Sequence, residues 1–352
     1  MGSVVTWLLE HHVHKPGSRL AVVFAVIAIC EIGALVGLAY VAGWSAVAGV
    51  LEHFSWRWLA ACGGALLLSF SGYYLTYRAL FSAEGRPPLH ARQLATIVVT
   101  SFAGFHGGAA LDCYALRAAG FADNEAKARA RALGGLEQGV LAIGASVAAI
   151  VVLVAGLHRP NAAFTLPWAI CPLPGLVLAC MLAGHLNGRL SAPSGWRSRL
   201  AVLFESIVII RQWILRPVRH ARQLLGMAIF WAAEICVLWA CLRGFHVVVP
   251  VSVLIVGFAT GMLFSRRAGP LGGAGILLII MPISLAACGM PLADALGGVL
   301  AYRLLTFWPS VPVALAVRGP LRSLGPREPS RVPDAPPSAA VKRWRRASVR
   351  SL

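Results

Sequence analysis

Eight apolar stretches of roughly membrane-spanning length constrain this chain of 352 residues more than any other feature. They are 20–46, 58–80, 133–157, 163–184, 222–243, 247–265, 273–289 and 292–317. A helix needs about 20 mostly apolar residues to cross the hydrocarbon core of a bilayer. Only 12% of the residues are charged, whereas soluble domains carry about 25%. The sequence therefore predicts an all-α, polytopic membrane protein with about eight transmembrane helices.

The connections between these spans differ in their content of lysine and arginine. The basic connections are the N-terminal segment, 81–93, 117–132, 185–221, 266–267 and the tail from 318 onward. The others are short or nearly uncharged. Because cytoplasmic loops are enriched in Lys and Arg, we assign the basic connections to the cytoplasm. We therefore expect a multi-pass protein of the plasma membrane with both termini in the cytoplasm.

The net charge of +18 also bears on partners. In a soluble protein it would suggest nucleic acid, but here the basic residues lie in loops and in the tail. We interpret them as topology signals that also attract anionic headgroups of the inner leaflet, and we expect no nucleic-acid partner. The chain then divides into a cytoplasmic segment (1–19), a transmembrane domain (20–317) and a disordered, basic, Pro-rich cytoplasmic tail (318–352).

Residues 94–116 form a ninth apolar segment, which has a basic loop on both sides. Both loops belong in the cytoplasm, so this segment is predicted to enter the membrane and return as a re-entrant hairpin. The alternative, a full crossing, would leave a basic loop outside. The turn would use the glycines at positions Gly104, Gly107 and Gly108, where no side chain restricts the backbone. A broken helix at membrane depth must be buried or line a wet cavity, so we expect a cavity here.

Several charged side chains lie inside the predicted spans. Arg303 is about halfway along the last span, at a depth where an arginine costs about 2.5–3.5 kcal/mol on insertion scales. It cannot lose its charge at neutral pH, whereas a lone buried glutamate can protonate. The intramembrane acids are Glu31, Asp112, Glu137 and Glu234. Arg303 is therefore the strongest pointer to function among these side chains.

Two interpretations of Arg303 stay open. In the first, Arg303 forms a buried ion pair with Glu234, Glu137 or Asp112 that only fixes the packing of helices. In the second, Arg303 and Arg117 face an anionic group, because a guanidinium holds phosphate oxygens in a planar fork. Only the second interpretation makes these arginines part of a binding site.

A second Gly-rich stretch, RRAGPLGGAGILL at 266–278, resembles the first. Its distinctive positions are Pro270, Gly272, Gly273 and Gly275. Two Gly-interrupted segments in separate halves of a chain indicate a midplane binding site in transporters. A nucleotide loop is not indicated, because GFHGGA does not fit GxGxxG and the chain has no GxxxxGK[ST].

No pattern in the chain points to catalysis, a cofactor or a metal. His106 and Asp112 are six residues apart, off one helical face, and no nucleophile with a companion base accompanies them. The eight cysteines show neither CxxC nor metal-ligand spacing, and we interpret them as small packing residues. The cluster of His11, His12 and His14 has no acidic or cysteine partner. We expect no enzyme activity, no cofactor and no metal site.

Two parts of the sequence, in their order and spacing, resemble the lysylphosphatidylglycerol synthase transmembrane family, a flippase-like group also called UPF0104. They are GGAALDCYALRAAGF…EAKARARALGGLEQGVLAIG and PLGGAGILL…GMPLADALGGVLAYRLLTFW, and the resemblance spans roughly 20–317. In that family the membrane domain is thought to move a lipid, or a lipid-linked group, between leaflets. The soluble aminoacyltransferase domain to which it is sometimes fused is absent here, so the resemblance implies transport without the synthase chemistry.

The resemblance also implies roles for individual residues. The positions carried over are Gly107, Gly108, Asp112, Tyr114, Arg117 and Gly120 in the first motif, Pro270, Gly272, Gly273 and Gly275 in the second, and Tyr302 and Arg303 in the last span. Family members often have Glu three residues after the last glycine of the second motif, where this chain has Leu278. If that acid takes part in coupling or headgroup contact, its loss changes the activity or the lipid preference of this protein.

The sequence leads to two main functional expectations. The first is a flippase-like carrier that translocates or binds an anionic phospholipid or a polyprenyl-linked lipid. Its substrate-binding residues would be Arg303, Arg117, Asp112, Tyr302, Tyr114, Glu234 and Glu137. The second is a membrane scaffold or accessory subunit without transport activity, whose partner would be a second copy of the chain or a membrane enzyme. A membrane transferase ranks last, because Glu52 and Asp294 are poor candidates for a carboxylate at the bilayer face.

Overall fold

The computed structural model describes residues 17–82, 90–102, 109–155, 161–186, 196–263 and 276–309. Within these ranges the regular structure is helical, without a strand, as predicted. Apolar runs favour helices because a helix satisfies its backbone hydrogen bonds within one segment. The helices are α1 Gly17–Ala42, α2 Trp44–Glu52, α3 Trp58–Phe81, α4 Ala91–Phe102, α5 Ala109–Ala118, α6 Asp123–Ala155, α7 Ala162–Ile170, α8 Pro172–Leu186, α9 Trp196–Leu215, α10 Ala221–Gly244, α11 Val251–Leu263, α12 Ile276–Ala287 and α13 Leu292–Thr306.

Four helical segments in the described ranges are long and apolar enough to cross a membrane. They are α3, α6, α10 and the α7–α8 run from Ala162 to Ala183, and the bent pair α1–α2 is a fifth if it forms one span. The apolar helices α11 and α12 have 13 and 12 residues, short of the roughly 20 that cross a bilayer. The chain is therefore an α-helical membrane protein, while the count of eight spans stays a prediction.

The first predicted span, 20–46, ends earlier than expected. α1 stops at Ala42, and α2 continues in a direction that differs by 106°. The break is at Gly43, whose φ of +92° is a conformation that L side chains rarely adopt. A glycine inside an apolar run thus turns the chain where hydropathy alone predicts a continuous helix.

The antiparallel helices α3 and α10 form the most extensive helix contact in the described chain. We call this contact the α3–α10 seam. Its facing pairs are Cys62 with Cys241, Ser69 with Glu234, and Tyr73 with Phe230. Each step along α3 is matched by an equal step backwards along α10, so the two helices stay in register from end to end.

Two glycines allow α3 and α10 to approach each other closely along the seam. A Cβ atom added at Gly72 would lie 2.6 Å from the carbonyl oxygen of Gly226, and one added at Gly226 would lie 2.6 Å from the carbonyl oxygen of Gly72. The two backbones therefore touch directly. Small residues at such contacts are what allows membrane helices to approach, since lipid supplies little hydrophobic driving force between helices.

The remaining inner helices surround this pair. α13 packs against α10, α12, α2 and α1, while α6 packs against α5, α7, α9, α10 and α11. A Cβ atom at Gly298 of α13 would lie 2.3 Å from Cδ2 of Leu242 on α10, so this contact also depends on a missing side chain. The core of the described chain consequently lies between α3, α10, α13 and α6.

Both Gly-rich turns lie outside the described residues. These positions are Gly104, Gly107, Gly108, Pro270, Gly272, Gly273 and Gly275. What the structure describes is a short helix on each side: α4 and α5 around the first motif, with 12 and 10 residues, and α11 and α12 around the second. The re-entrant hairpin stays a prediction, as do the predicted N-terminal boundary at residue 19 and the tail from 318 onward.

Candidate functional site

Glu234 occupies the centre of the packed helices. It is fully buried, near the middle of α10. Its Oε1 accepts a hydrogen bond from Oγ of Ser69 at 2.7 Å, and its Oε2 accepts one from the hydroxyl of Tyr302 at 2.5 Å. Three helices, α3, α10 and α13, thus meet on one carboxyl group. Among the described residues, no basic side chain lies within the ion-pair distance of 4.0 Å from it.

Arg303, the next residue along α13, is buried against α1. Its Nε donates a hydrogen bond to Oε1 of Glu31 at 2.7 Å. The other oxygen of Glu31 accepts from Nε1 of Trp308 at 3.1 Å. The guanidinium carbon lies 3.8 Å from the ring centroid of Phe307, within the range of a cation–π contact. The arginine is therefore held by a carboxylate and an aromatic ring.

The observed partner of Arg303 corrects the ion pair predicted from the sequence. Glu31 was not among the three predicted partners, and both oxygens of the predicted partner Glu234 bind hydroxyl groups. The physical reason is helix geometry, because consecutive residues on an α-helix point about 100° apart. Tyr302 therefore faces α10 while Arg303 faces α1.

These two clusters form one continuous polar row. We use that name for Glu31, Arg303, Tyr302, Glu234 and Ser69, which join α1, α13, α10 and α3. Arg303 lies in the last turn of α13, which ends at Thr306, and not about halfway along its span as the sequence predicted. All five residues are buried, and the most exposed of them, Arg303, is 9% exposed. The row thus places two carboxyl groups and one guanidinium inside a core made mostly of apolar side chains.

Asp112 has a separate group of partners. It is fully buried on α5, and its Oδ1 accepts hydrogen bonds from the hydroxyls of Tyr77 at 2.6 Å and Ser101 at 3.2 Å. Tyr77 belongs to α3, eight residues beyond Ser69, which is about 12 Å along a helix axis. Side chains of the same helix thus bind the carboxyl groups of Glu234 and Asp112, at two positions along its axis.

The other predicted site residues lie elsewhere. Arg117 forms an ion pair with Asp123, and its side chain is 46% exposed. Tyr114 is also exposed, on the same helix α5. Glu137 is buried on α6, where its backbone carbonyl accepts a hydrogen bond from Nε1 of Trp231 at 2.6 Å. The structure therefore brings Arg303, Tyr302 and Glu234 together, but places Arg117 in a different, surface environment.

Sequence reasoning did not identify the hydroxyl groups that bind the carboxyl groups. Ser69 and Tyr77 lie in an apolar span, where they look like ordinary packing residues. A signal was nevertheless present, because the buried seam positions 62, 69, 73, 76 and 80 of α3 follow the heptad spacing of a helix-packing face. Polar residues on such a face point at another helix, not at lipid.

Comparison with protein-family models finds no match to this chain, and no curated protein matches it. The chemistry of the buried side chains therefore carries the functional argument. The polar row can bind protons or hydrogen-bonding groups at its carboxyl oxygens and hydroxyls, and it can hold an anion at its guanidinium when Glu31 moves away.

Proposed function

We propose that this protein is a flippase-like carrier, of the lysylphosphatidylglycerol synthase transmembrane type. It binds an anionic phospholipid or a polyprenyl-linked lipid and moves it between the leaflets. The polar row is the part of the route that meets the headgroup. Arg303 contacts the phosphate when its pairing with Glu31 is exchanged for pairing with the lipid, and Glu234 and Tyr302 hydrogen-bond to the rest of the headgroup.

The observation that supports this proposal is the burial of the polar row among apolar helices. Ionisable side chains inside a membrane are costly, and they commonly mark substrate or ion pathways. Replacing a buried ion pair with apolar residues of similar volume is often neutral or stabilising, so packing alone does not require one. A row that crosses four helices therefore favours a role beyond stability.

The short helices beside the two Gly-rich motifs add support. α4 and α5 contact each other around the first motif, and α11 packs on α12 around the second. Paired short helices interrupted by glycine and proline are typical of midplane binding sites in transporters. Arg117, half exposed beside Asp123, would meet the headgroup where it enters from the membrane surface.

The proposal can be tested with the full-length protein in liposomes that contain fluorescent lipids. The lipids to compare are phosphatidylglycerol, phosphatidylethanolamine and a polyprenyl phosphate. We expect the protein to accelerate the appearance of at least one of them in the outer leaflet, measured by chemical quenching of the exposed fluorophore. Rates equal to those of empty liposomes for every lipid would overturn the proposal.

A charge-balanced variant separates transport from folding. The double substitution Arg303→Ala with Glu31→Ala removes both charges, so it leaves no uncompensated buried ion. We expect this variant to fold and to lose lipid movement. Leu178→Ala, on the exposed surface of α8, is the matched control and should keep the wild-type rate.

A scaffold or accessory subunit is the second candidate, and one observation favours it. Arg303 is already compensated by Glu31, so the ion pair can be a packing contact only. In that case the folded wild-type protein moves no lipid of any class. The liposome experiment therefore decides between the two functions.

A further inference from the structure

Two cysteines that are distant in sequence meet in the buried contact between α3 and α10. Cys62 lies in the second turn of α3, and Cys241 lies in the last turn of α10. Their Sγ atoms are 3.8 Å apart, and the residues are 1% and 0% exposed. They are separated by 179 positions, so no spacing motif could have revealed the pair.

Contacts on both sides hold the two thiols in register. Toward the middle of the two helices, Ser69 and Glu234 each lie seven residues away and are joined by the 2.7 Å hydrogen bond described above. At the other end, the backbone N–H of Ser55 donates to the carbonyl of Gly244 at 2.7 Å. The two helices therefore cannot slide past each other between these points without breaking a hydrogen bond.

We propose that Cys62 and Cys241 form an oxidisable dithiol, which a lipid-soluble quinone converts into a disulfide that joins α3 to α10. A disulfide requires a sulfur–sulfur distance of about 2.0 Å, so the two sulfur atoms, now 3.8 Å apart, must approach by less than about 2 Å. The required oxidant must reach a buried, apolar site, and this suits a small molecule that dissolves in the bilayer.

The chemistry balances with one quinone for each disulfide. Both S–H bonds break and one S–S bond forms. The two electrons and two protons reduce the quinone to the hydroquinone, so no water or metal takes part. Thiol reductants reverse the reaction by exchange through a mixed disulfide once the protein is unfolded and the bond is exposed.

The other cysteines provide a natural comparison. Within the described residues, no other two cysteine thiols form a sulfur hydrogen bond, which requires a separation of 4.0 Å or less. Cys236 lies on the same helix as Cys241, but it is exposed. A random oxidation of thiols would therefore involve Cys236 more readily than the buried pair, whereas the proposal requires the opposite.

The experiment uses the full-length protein in liposomes treated with duroquinone, whose fully methylated ring disfavours addition to thiols. Free thiols are then alkylated in denaturant, and the protein is digested with trypsin without reduction. The proposal expects the peptide 58–78, which contains Cys62, to be linked to the peptide 223–243. It also expects two of the eight thiols to be lost from alkylation, and both effects to disappear after reduction.

Matched variants assign the bond. The linked peptides should persist in Cys236→Ser and be absent from Cys241→Ser, and Cys241→Ala replaces the second variant if it folds poorly. Full alkylation of all eight cysteines after duroquinone treatment would overturn the proposal. So would a link that persists in Cys241→Ser and is lost in Cys236→Ser.

Discussion

The α3–α10 pair and the α7–α8 run are both apolar enough to cross a membrane, yet they have opposite relations to the rest of the protein. In the apolar 18-residue stretch of α10, 56% of the residues are buried, whereas only 6% are buried in the corresponding stretch of the α7–α8 run. α10 packs against α3, α13 and α6, whereas the α7–α8 run exposes most of its large side chains. Hydrophobicity therefore identifies membrane helices but does not distinguish a central helix from a peripheral one.

The distinction comes from small and polar residues at regular positions. Gly72 and Gly226 let two backbones touch, and Ser69 and Glu234 bind each other across the same contact. Gly175 of α8, by contrast, has open space where a side chain would lie. Glycine at a packed position is a structural requirement, while glycine on the lipid-facing surface is replaceable.

The largest expected effect is in the inner region. Arg303→Ala leaves Glu31 buried without its cation and should lower the free energy of unfolding by about 3–5 kcal/mol. Leu178→Ala on the exposed face of α8 should change it by no more than about 0.5 kcal/mol. Unfolding in denaturing detergent measures both. Adding Glu31→Ala to Arg303→Ala should recover much of the loss, and equal costs for the single and double variants would contradict the ion pair.

A bulky residue in the seam should have the next largest effect. Gly226→Leu places a side chain against the backbone of α3, which can move away only if the two helices separate. The substitution should therefore lower the free energy of unfolding by about 3 kcal/mol. Gly175→Leu meets no neighbour and should leave stability unchanged or slightly higher, since leucine favours helix over glycine. Thermal unfolding of the two variants in the same detergent makes the comparison. Similar losses in both would show that the two regions do not differ.

The carboxyl group of Glu234 should be replaceable only by another hydrogen-bonding group. Glu234→Leu removes the carboxyl group to which the hydroxyls of Ser69 and Tyr302 donate in a buried site. It should therefore lower the free energy of unfolding by about 1–3 kcal/mol. Glu234→Gln keeps the shape and a hydrogen bond to each hydroxyl, so its cost should be below about 1 kcal/mol. Chemical unfolding of both variants tests this, and a leucine variant as stable as the glutamine variant would show that these hydrogen bonds do not hold the helices together.

The smallest effect concerns pH, at the end of α10 where it leaves the membrane. Burial of the ring, together with the charges of Arg219 and Arg216, lowers the pKa of His220 below its ordinary value of 6.5. The neutral ring is thus favoured in the folded state, so its contribution to stability is complete above pH 6.5 and is lost as the pH falls through the lower folded value. His220→Gln should flatten this part of the stability profile. A profile unchanged by the substitution would assign the pH dependence to other groups.

Much of the chemistry was predictable from single residues. Arg303 and Glu234 were expected to be buried because they lie far from the ends of the predicted apolar spans. Both are buried, although Arg303 lies in the last turn of α13 and not near its middle. Asp112 and Tyr302, which the family resemblance carried over, are buried as well. Arg117 was grouped with Arg303 because both are cationic, yet it pairs with Asp123 on the surface of α5 and α6. Residue type therefore predicted which side chains need partners, but not which partner each one finds.

The sequence by itself determined that this is an α-helical membrane protein, because a backbone in lipid has few other ways to satisfy its hydrogen bonds. It also determined that a few ionisable side chains lie within the apolar segments and must find polar partners there. Only the tertiary structure decided that Glu31 pairs with Arg303, that two hydroxyls bind Glu234, and that Cys62 touches Cys241. These contacts join residues far apart in the chain, and they depend on how each helix is rotated about its axis. Hydropathy is the same for every rotation, whereas close packing selects one.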